Sequence, residues 1–259
     1  MSDFNQLSRS IRGLTALVTG AGSGMGCATA RVFAAEGANV AVTDADASAA
    51  EAVAVEIIAR GQCAKAWKLD VTSRDEINSV VNAVAAHFGG LDIVINNAGI
   101  SVRIAIEDQA YDEAWAKAIS VLLTAHQRVI SAALPHLRKS KSPRIVNIAS
   151  TEALGATALH SPYSAAKGGV ASLTRSLAVE LGREGITVNC ICPGPIRTAI
   201  TDRISEEHKT IYAKRRTALG RYGDAEEVAH MTLSLCLPAA SFLTGAVIPV
   251  DVGLMARNA

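Results

Sequence analysis

Apolar and polar residues alternate along the chain in two regular patterns. Short β-branched apolar runs, typical of buried parallel strands, lie at 15–19, 39–44, 64–71, 91–96, 144–149, 186–192 and 246–250. Between them, apolar residues recur at helical spacing at about 25–36, 47–60, 74–88, 111–138, 161–182 and 224–236. This alternation predicts an α/β fold with a doubly wound parallel sheet of about seven strands, flanked by helices and joined by right-handed crossovers.

Two segments depart from this pattern. Residues 1–13 precede the first strand and form an N-terminal arm. Residues 193–223 are rich in charge, have no clear period and follow the carboxyl end of a strand, which is where open α/β sheets bind ligands. We therefore expect 193–223 to be a substrate lid inserted into one domain spanning 1–259, since no linker or repeat divides the chain.

Composition excludes several classes of protein. The 259 residues are 49% hydrophobic, and 25 basic against 24 acidic residues give a net charge of +1, so nothing argues for nucleic acid or an acidic membrane as a partner. Neither a signal peptide nor a membrane-spanning stretch is visible, so a cytoplasmic protein is expected. Without a C-x-x-C spacing, the cysteines are expected to be reduced, buried and not metal ligands; they are Cys27, Cys63, Cys190, Cys192 and Cys236. No metal site is expected.

The stretch TGAGSGMG (19–26) lies between the first predicted strand and helix. Gly20, Gly24 and Gly26 do not follow the usual G-x-G-x-x-G spacing, but a longer turn of this kind still brings backbone N–H groups and a helix N-terminus close to an anion. The two interpretations are a simple tight turn and a phosphate-binding loop in a Rossmann-type fold.

Asp44 favours the second interpretation. It ends the second predicted strand, eighteen residues after Gly26, close to the spacing at which a carboxylate meets the ribose hydroxyls of NAD. A carboxylate there repels a 2′-phosphate, and neither Ser23 nor Ala45 supplies the cation that NADP requires, so NAD is predicted and NADP is less favoured. The alternative is an ordinary acidic residue at the end of a strand.

Ser150, Tyr163 and Lys167 are candidates for acid–base chemistry. Tyr163 and Lys167 are four residues apart in a helical pattern and share one face, so the ammonium is expected to lower the pKa of the phenol. Ser150 ends a strand thirteen residues earlier, from where its hydroxyl could donate to the same carbonyl oxygen that the phenol protonates. A Tyr–Lys pair on a solvated helix face is the alternative.

Taken together, the chain resembles the short-chain dehydrogenases/reductases over nearly its whole length. The resemblance is carried by TGAGSGMG (19–26), LDV (69–71), NNAG (96–99), Ser150 with YSAAK (163–167), and PGPIRT (193–198). It implies Tyr163 as catalytic acid/base, Lys167 as the residue that lowers its pKa and holds the nicotinamide ribose, and Ser150 as the group that orients the substrate oxygen. The residues it implies for cofactor binding are Gly20, Ser23, Gly24, Met25, Gly26, Asp44, Asp70, Val71, Asn97, Ala98, Gly99, Tyr163, Lys167, Pro193, Gly194, Ile196 and Thr198.

Two positions depart from the family pattern. Leu122 stands where the family usually has an asparagine that anchors a proton-relaying water, and leucine can neither donate nor accept a hydrogen bond. The expectation is an active site with a weakened proton step. Val252 stands where the family usually has a second glycine, and this is expected to disturb either the local backbone or the packing on the cofactor side.

The predicted function is an NAD-dependent oxidoreductase that interconverts a secondary alcohol and a ketone. The alternatives are an NADP-dependent reductase of 3-oxoacyl or other carbonyl groups, and a nucleotide-binding scaffold with impaired catalysis. Loop residues Arg103, Glu152 and His160, with Ser150, are expected to contact a polar substrate such as a polyol, sugar or hydroxy acid. Between Arg197 and Arg221 the lid carries seven Lys/Arg against three Asp/Glu, which indicates either an anionic substrate or a solvated helix face. The resemblance also implies a homotetramer.

Overall fold

The fold is built on one sheet of seven parallel strands. A computed structural model describes residues 6–199, 201–202 and 204–258, so residues 1–5 of the predicted arm and residues 200 and 203 of the predicted lid lie outside it. The strand order is β3-β2-β1-β4-β5-β6-β7, which confirms the predicted doubly wound sheet. The strands are β1 (Thr15–Thr19), β2 (Asn39–Asp44), β3 (Ala64–Lys68), β4 (Ile93–Asn96), β5 (Arg144–Ile148), β6 (Thr187–Pro193) and β7 (Val247–Val250).

The helices follow the predicted order, with one addition and one irregularity. They are α1 (Gly24–Ala35), α2 (Ala47–Ala59), α3 (Arg74–Phe88), α4 (Tyr111–Ile119), α5 (Ala125–Leu137), α6 (Ser161–Leu181), α7 (Glu206–Arg216) and α8 (Ala225–Cys236). A turn of π-helix, Ser120–Thr124, joins α4 to α5, so the single helix predicted over 111–138 contains a local bulge.

Helix α7 lies within the segment for which the sequence showed no period. Its local signals are nevertheless clear, because the Ser205 hydroxyl caps the helix by accepting from His208 N–H, and Glu206 and Glu207 occupy its first turn. Its last turn is basic, which suits the negative end of the helix dipole. Those charges account for a helix that apolar periodicity alone does not reveal.

Strand β3 is shorter than the run predicted over 64–71. Leu69 N–H still bonds to Asp44 O, at 2.8 Å, but Asp70 then accepts from the Thr72 N–H and hydroxyl and turns the chain toward α3. The acidic side chain of Asp70 is thereby held at the edge of the sheet.

Two apolar clusters cover the two faces of the sheet. One lies beneath α1, α2 and α8 and contains Phe33 and Ile57, and the other lies beneath α3, α5 and α6 and contains Ile77 and Leu137. Within the described residues, no helix combines the length and apolar character needed to span a bilayer. The expectation that every cysteine is buried is wrong for Cys63, which is exposed because it lies in the loop before β3.

The sheet opens a crevice between β1 and β4, where the strand order reverses direction. Thr19, the last residue of β1, ties the two strands together, because its hydroxyl accepts from the N–H groups of Asn97 and Ala98, both at 3.0 Å. The Asn97 amide also donates to the Thr19 and Gly20 carbonyls. These bonds fix the turn after β4 against the glycine-rich turn after β1.

Candidate active site

The glycine-rich turn has no room for a side chain at Gly20 or Gly26. Gly20 and Gly24 have φ values of 63° and 54°, a region that L-residues rarely adopt. A Cβ atom on Gly20 would lie 2.7 Å from Ala98 Cα, and one on Gly26 would overlap the Gly20 carbonyl and the Asn97 amide. Gly20 and Gly24 therefore shape the turn itself, whereas Gly26 allows α1 to pack against it.

A cleft of about 370 Å³ runs along the carboxyl edge of the sheet from this turn to α6. It passes Asp44 and Asp70 at one end and reaches Tyr163 and Lys167 at the other. The predicted cofactor residues that line it are Gly20, Ser23, Gly24, Met25, Asp44, Asp70, Val71, Asn97, Ala98, Gly99, Tyr163, Lys167 and Thr198. Gly26 lies outside this lining, and Pro193, Gly194 and Ile196 line the neighbouring cavity instead.

The cleft also has apolar walls that the sequence motifs did not identify. Leu69 and Ile100 are two of these residues, with Val121, Leu122 and Ile148 nearer to Lys167. Their signal in the sequence is weak, because each belongs to an apolar run that is equally typical of core packing.

Asp44, the residue predicted to contact the ribose hydroxyls of the cofactor, lies in the wall of the cleft. Its carboxylate accepts from the N–H groups of Gly22, at 2.9 Å, and Asp46, at 3.0 Å, so the side chain is fixed in the cleft wall. Among the described residues that line the cleft, Lys167 at the far end is the one cation. A close-packed glycine cradle and a fixed acid at one end of the cleft fit a dinucleotide.

Tyr163 and Lys167 lie on the first turns of α6, beside the end of β5. The Lys167 ammonium is buried, donates to Ile148 O at 2.7 Å, and lies 5.8 Å from the centre of the Tyr163 ring. Burial lowers the pKa of Lys167 from 10.5 to about 8. The lysine is therefore poised to exchange a proton near neutral pH.

The expected lowering of the Tyr163 pKa by Lys167 is not found. Burial raises the pKa of the phenol above 10, opposed by its interaction with the Ser150 hydroxyl and reinforced by the nearby charge of Glu152. The hydrogen bond that the ammonium donates is to the Ile148 carbonyl, and Lys167 is not among the groups that shift the pKa of the phenol. Ser150, which follows β5, does not line the cleft but lines the neighbouring cavity together with Tyr163.

Leu122 lies inside the π-turn and packs in a small apolar cluster with Ala118 and Ala166. Its side chain is fully buried and approaches Gly99, where an added Cβ would lie 3.2 Å from Leu122 Cδ2. The position predicted for a polar relay residue is therefore filled by an apolar wall of the cleft.

His126 is a polar residue near the cleft to which the sequence assigned no role beyond the absence of a metal-ligand spacing. It lies one turn after Leu122, is buried, and has no hydrogen-bond partner for either ring nitrogen among the described residues. Burial, and then the charge of Lys167, lowers the pKa of His126 from 6.5 to about 3, although Asn147 is near enough to oppose this. The imidazole is neutral at physiological pH.

A second cavity of about 290 Å³ opens beside Tyr163 and contains three of the four predicted substrate residues: Ser150, Glu152 and His160. The His160 ring lies edge-on to Tyr163, with centroids 6.3 Å apart, and its side chain makes no capping bond to α6. Arg103 is exposed and lines neither this cavity nor the cleft. It belongs to the loop after β4, which here turns its arginine away from the site.

Val252, the second departure from the family pattern, has φ 53°, a left-handed conformation that β-branched residues strongly disfavour. Its carbonyl accepts from Ala218 and Leu219 N–H groups in the loop after α7, at 3.0 and 3.1 Å. The backbone therefore keeps the turn that a glycine would favour, and the valine bears the strain.

The chain is similar in sequence to several known proteins. Residues 20–255 match the profile of a family described as enoyl-(acyl carrier protein) reductase. The chain is 39% identical to cis-4-hydroxycyclohexanecarboxylate dehydrogenase of Sinomonas cyclohexanicum, over 93% of this chain and 96% of that one. It is 35% identical to a 3-oxoacyl-(acyl-carrier-protein) reductase of Thermotoga maritima, over 95% and 99%.

A solved structure agrees with these sequence matches. The crystal structure of a dehydrogenase/reductase from Sinorhizobium meliloti superimposes with a TM-score of 0.89 at 34% identity, covering 95% of this chain and 97% of that one. Such relatives use a nicotinamide cofactor and act on CH–OH groups. The chain belongs to the short-chain dehydrogenase/reductase family of oxidoreductases.

Proposed function

We propose that the protein is an NAD-dependent oxidoreductase that interconverts a secondary alcohol and a ketone. The observation that carries this proposal is the single cleft that joins the fixed carboxylate of Asp44 to the hydroxyl of Tyr163. A dinucleotide lying along it would have its adenosine half at Asp44 and its reactive half at Tyr163.

The chemistry divides among three side chains. When bound, the nicotinamide ring supplies the acceptor or donor of the hydride. Tyr163 exchanges the proton at the substrate oxygen, and Ser150 holds that oxygen by a hydrogen bond. Lys167, whose pKa of about 8 lies near neutral, holds the cofactor ribose and returns a proton to the phenol. Thr198 and Gly194 belong to the loop that closes over both groups, at the start of the proposed lid 193–223.

Asp44 supports NAD over NADP, because a 2′-phosphate would meet its carboxylate, and no cation is among the described residues that line this end of the cleft. We expect Asp44→Ala to shift the preference toward NADP by about tenfold, which corresponds to about 1.4 kcal/mol. Affinities for NADH and NADPH are measured by fluorescence titration. Asp46→Ala is the matched control, since Asp46 caps α2 without lining the cleft. An unchanged ratio of affinities in Asp44→Ala would remove the argument for NAD.

A polar substrate, and within that class a hydroxy acid, is supported by the cavity that receives it. Ser150, Glu152 and His160 line the cavity beside Tyr163. A relative at 39% identity is named for a hydroxy acid.

Two alternatives each have one observation in their favour. The 3-oxoacyl reductase relative favours an NADP-dependent carbonyl reductase, which the affinity ratio above tests. The buried Leu122 favours a nucleotide-binding scaffold with impaired catalysis, which would bind NADH and give no turnover.

We also propose a homotetramer built through the helices of 111–137, α6 and the C-terminal strand. Two large apolar side chains near these elements are left exposed in the single chain, Val179 at 84% and Phe242 at 105%. Light scattering at micromolar concentration tests this, and a monomer would contradict it.

A further inference from the structure

A third cavity, of about 760 Å³, continues from the cavity beside Tyr163 and lies beneath the lid. The two cavities share Ser150, Glu152, Gly194 and Pro195 in their walls. A substrate whose carbinol lies at Ser150 and Tyr163 therefore has room to extend away from the cofactor, toward α7.

Helix α7 provides one wall of this third cavity. His208, Ile211, Tyr212 and Arg215 recur at intervals of three and four residues, which places them on one face of the helix, and Arg216 lies beside them. Lys214 lies on the same helix but is not part of the cavity wall. The cavity thus receives two guanidinium groups from a helix that the sequence pattern left unassigned.

The cations that the structure describes in the lid differ in whether they pair with a carboxylate. Arg197 and Lys209 both pair with Glu206, at 2.7 and 2.8 Å, and Arg221 pairs with Glu227. The first two pairs lie within the lid, and the third joins the end of the lid to α8. In contrast, within the described residues neither Arg215 nor Arg216 lies within ion-pair distance of a carboxylate.

The acid that faces the same cavity is already occupied. The Glu152 carboxylate accepts three hydrogen bonds: from Thr157 N–H at 2.9 Å, from the Thr157 hydroxyl at 2.6 Å and from the Ser164 hydroxyl at 2.7 Å. Its oxygens are therefore directed at the loop after β5 and at α6. With two arginines against one acid, the cavity keeps an excess of positive charge and ten guanidinium N–H donors, five on each arginine, without a carboxylate partner.

We propose that Arg215 and Arg216 bind a carboxylate carried by the substrate at the end remote from its carbinol. This inference rests on the proposed oxidoreductase function and assigns the residues that would hold the carboxylate of a hydroxy acid. Arginine suits this role because its planar group matches a carboxylate with two parallel hydrogen bonds, and the positive lid also attracts the anion from solution.

The test measures binding separately from turnover. The probe is 4-hydroxycyclohexanecarboxylate, whose ring places the carboxylate across from the carbinol, and the matched uncharged probe is its methyl ester. Dissociation constants are measured by calorimetry with NADH present, since hydride transfer cannot occur when alcohol and cofactor are both reduced. The proteins are the wild type, Arg215→Gln with Arg216→Gln, and Lys214→Gln as the control for general surface charge.

The wild type is expected to bind the acid at least about tenfold more tightly than the ester, as charge-assisted hydrogen bonds imply. The double variant should lose this preference and bind the ester within about twofold of the wild type. Lys214→Gln should change neither constant appreciably, and raising the salt concentration should weaken binding of the acid alone.

Equal binding of acid and ester by the wild type would overturn the inference, as would an equal loss of both in the double variant or an equal effect of Lys214→Gln. A phosphate monoester of comparable size that binds more tightly than the acid would also count against a carboxylate. NADH formation from NAD⁺ is a separate measurement. Turnover without discrimination contradicts the arginine site alone, whereas discrimination without turnover contradicts the proposed function alone.

Discussion

Val252 is a position where glycine should be more stable than alanine, the reverse of the usual order. Its φ of 53° costs an L-residue about 1–2 kcal/mol, and glycine avoids this cost. Against this, glycine loses about 0.5–1 kcal/mol more backbone freedom on folding than alanine does. The difference leaves Val252→Gly more stable than Val252→Ala by about 0.5–1 kcal/mol. Comparison with alanine, rather than with valine, removes the half-buried isopropyl group from both sides.

Urea unfolding and thermal melts of the two variants, at equal protein concentration, measure this difference. A shift of about 1 kcal/mol corresponds to about 2–4 °C in Tm for a chain of this size. The control is Ala52, an exposed residue in the middle of α2, where Ala52→Gly should be destabilising by about 0.5–1 kcal/mol. If Val252→Ala is as stable as Val252→Gly or more so, the backbone is not strained at this position and the reasoning fails.

Three further predictions concern the cleft and its surroundings. Gly26→Ala should be destabilising by about 1–3 kcal/mol and should weaken NADH binding, because its Cβ would overlap the Gly20 carbonyl. The control is Gly90→Ala, whose Cβ meets no neighbour and which should change neither quantity, so equal melting curves for the two variants would contradict the prediction. His126 binds fewer protons in the folded state than in the unfolded state between pH 6.5 and about 3. Its contribution to the free energy of unfolding therefore falls as the pH falls through that window, by about 2 kcal/mol between pH 8 and pH 5. Urea titrations at these two pH values should show a smaller loss of stability in His126→Gln than in the wild type, and an identical loss would refute the assignment. Leu122→Asn should raise kcat by about tenfold, within the range that proton transfer contributes, and should move its pH profile. Because Leu122 is fully buried, the new amide should also lower the free energy of unfolding by about 2 kcal/mol. An unchanged rate and pH profile would show that this position does not limit the proton step.

The sheet could be predicted because its strands carry their own signal. β1 and β2 begin and end at the predicted residues, since a strand buried on both faces reads as a continuous apolar run. Helix α7 could not be predicted in the same way. Its mean composition is polar and its stability depends on a serine cap and on charges at its ends, which a search for apolar periodicity does not detect.

The residues of the site also divide into those that the sequence could predict and those that it could not. The glycine turn and Asp44 are local in sequence, so their spacing alone placed them at one end of the cleft. Arg103 was expected at the substrate and is exposed elsewhere, because the direction of a loop depends on tertiary packing. The sequence assigned no role to His126, because nothing in its local sequence marks a histidine that will be buried. It included the arginines of α7 in the basic segment that indicates either an anionic substrate or a solvated helix face, but could not tell which of those cations line a cavity.

Dependence of hydride transfer on the Tyr163 hydroxyl is the central claim of this account. The decisive measurement is NADH formation by the purified protein with excess NAD⁺, across hydroxy acids, polyols, sugars and simple secondary alcohols, with Tyr163→Phe as the comparison. Because Phe keeps the ring and removes only the group that exchanges the proton, we expect NADH formation with at least one hydroxy acid by the wild type and a loss of about 10²-fold or more in the variant. NADH formation that persists undiminished in Tyr163→Phe, or a wild type that binds NADH yet oxidises no member of the panel, would contradict the account.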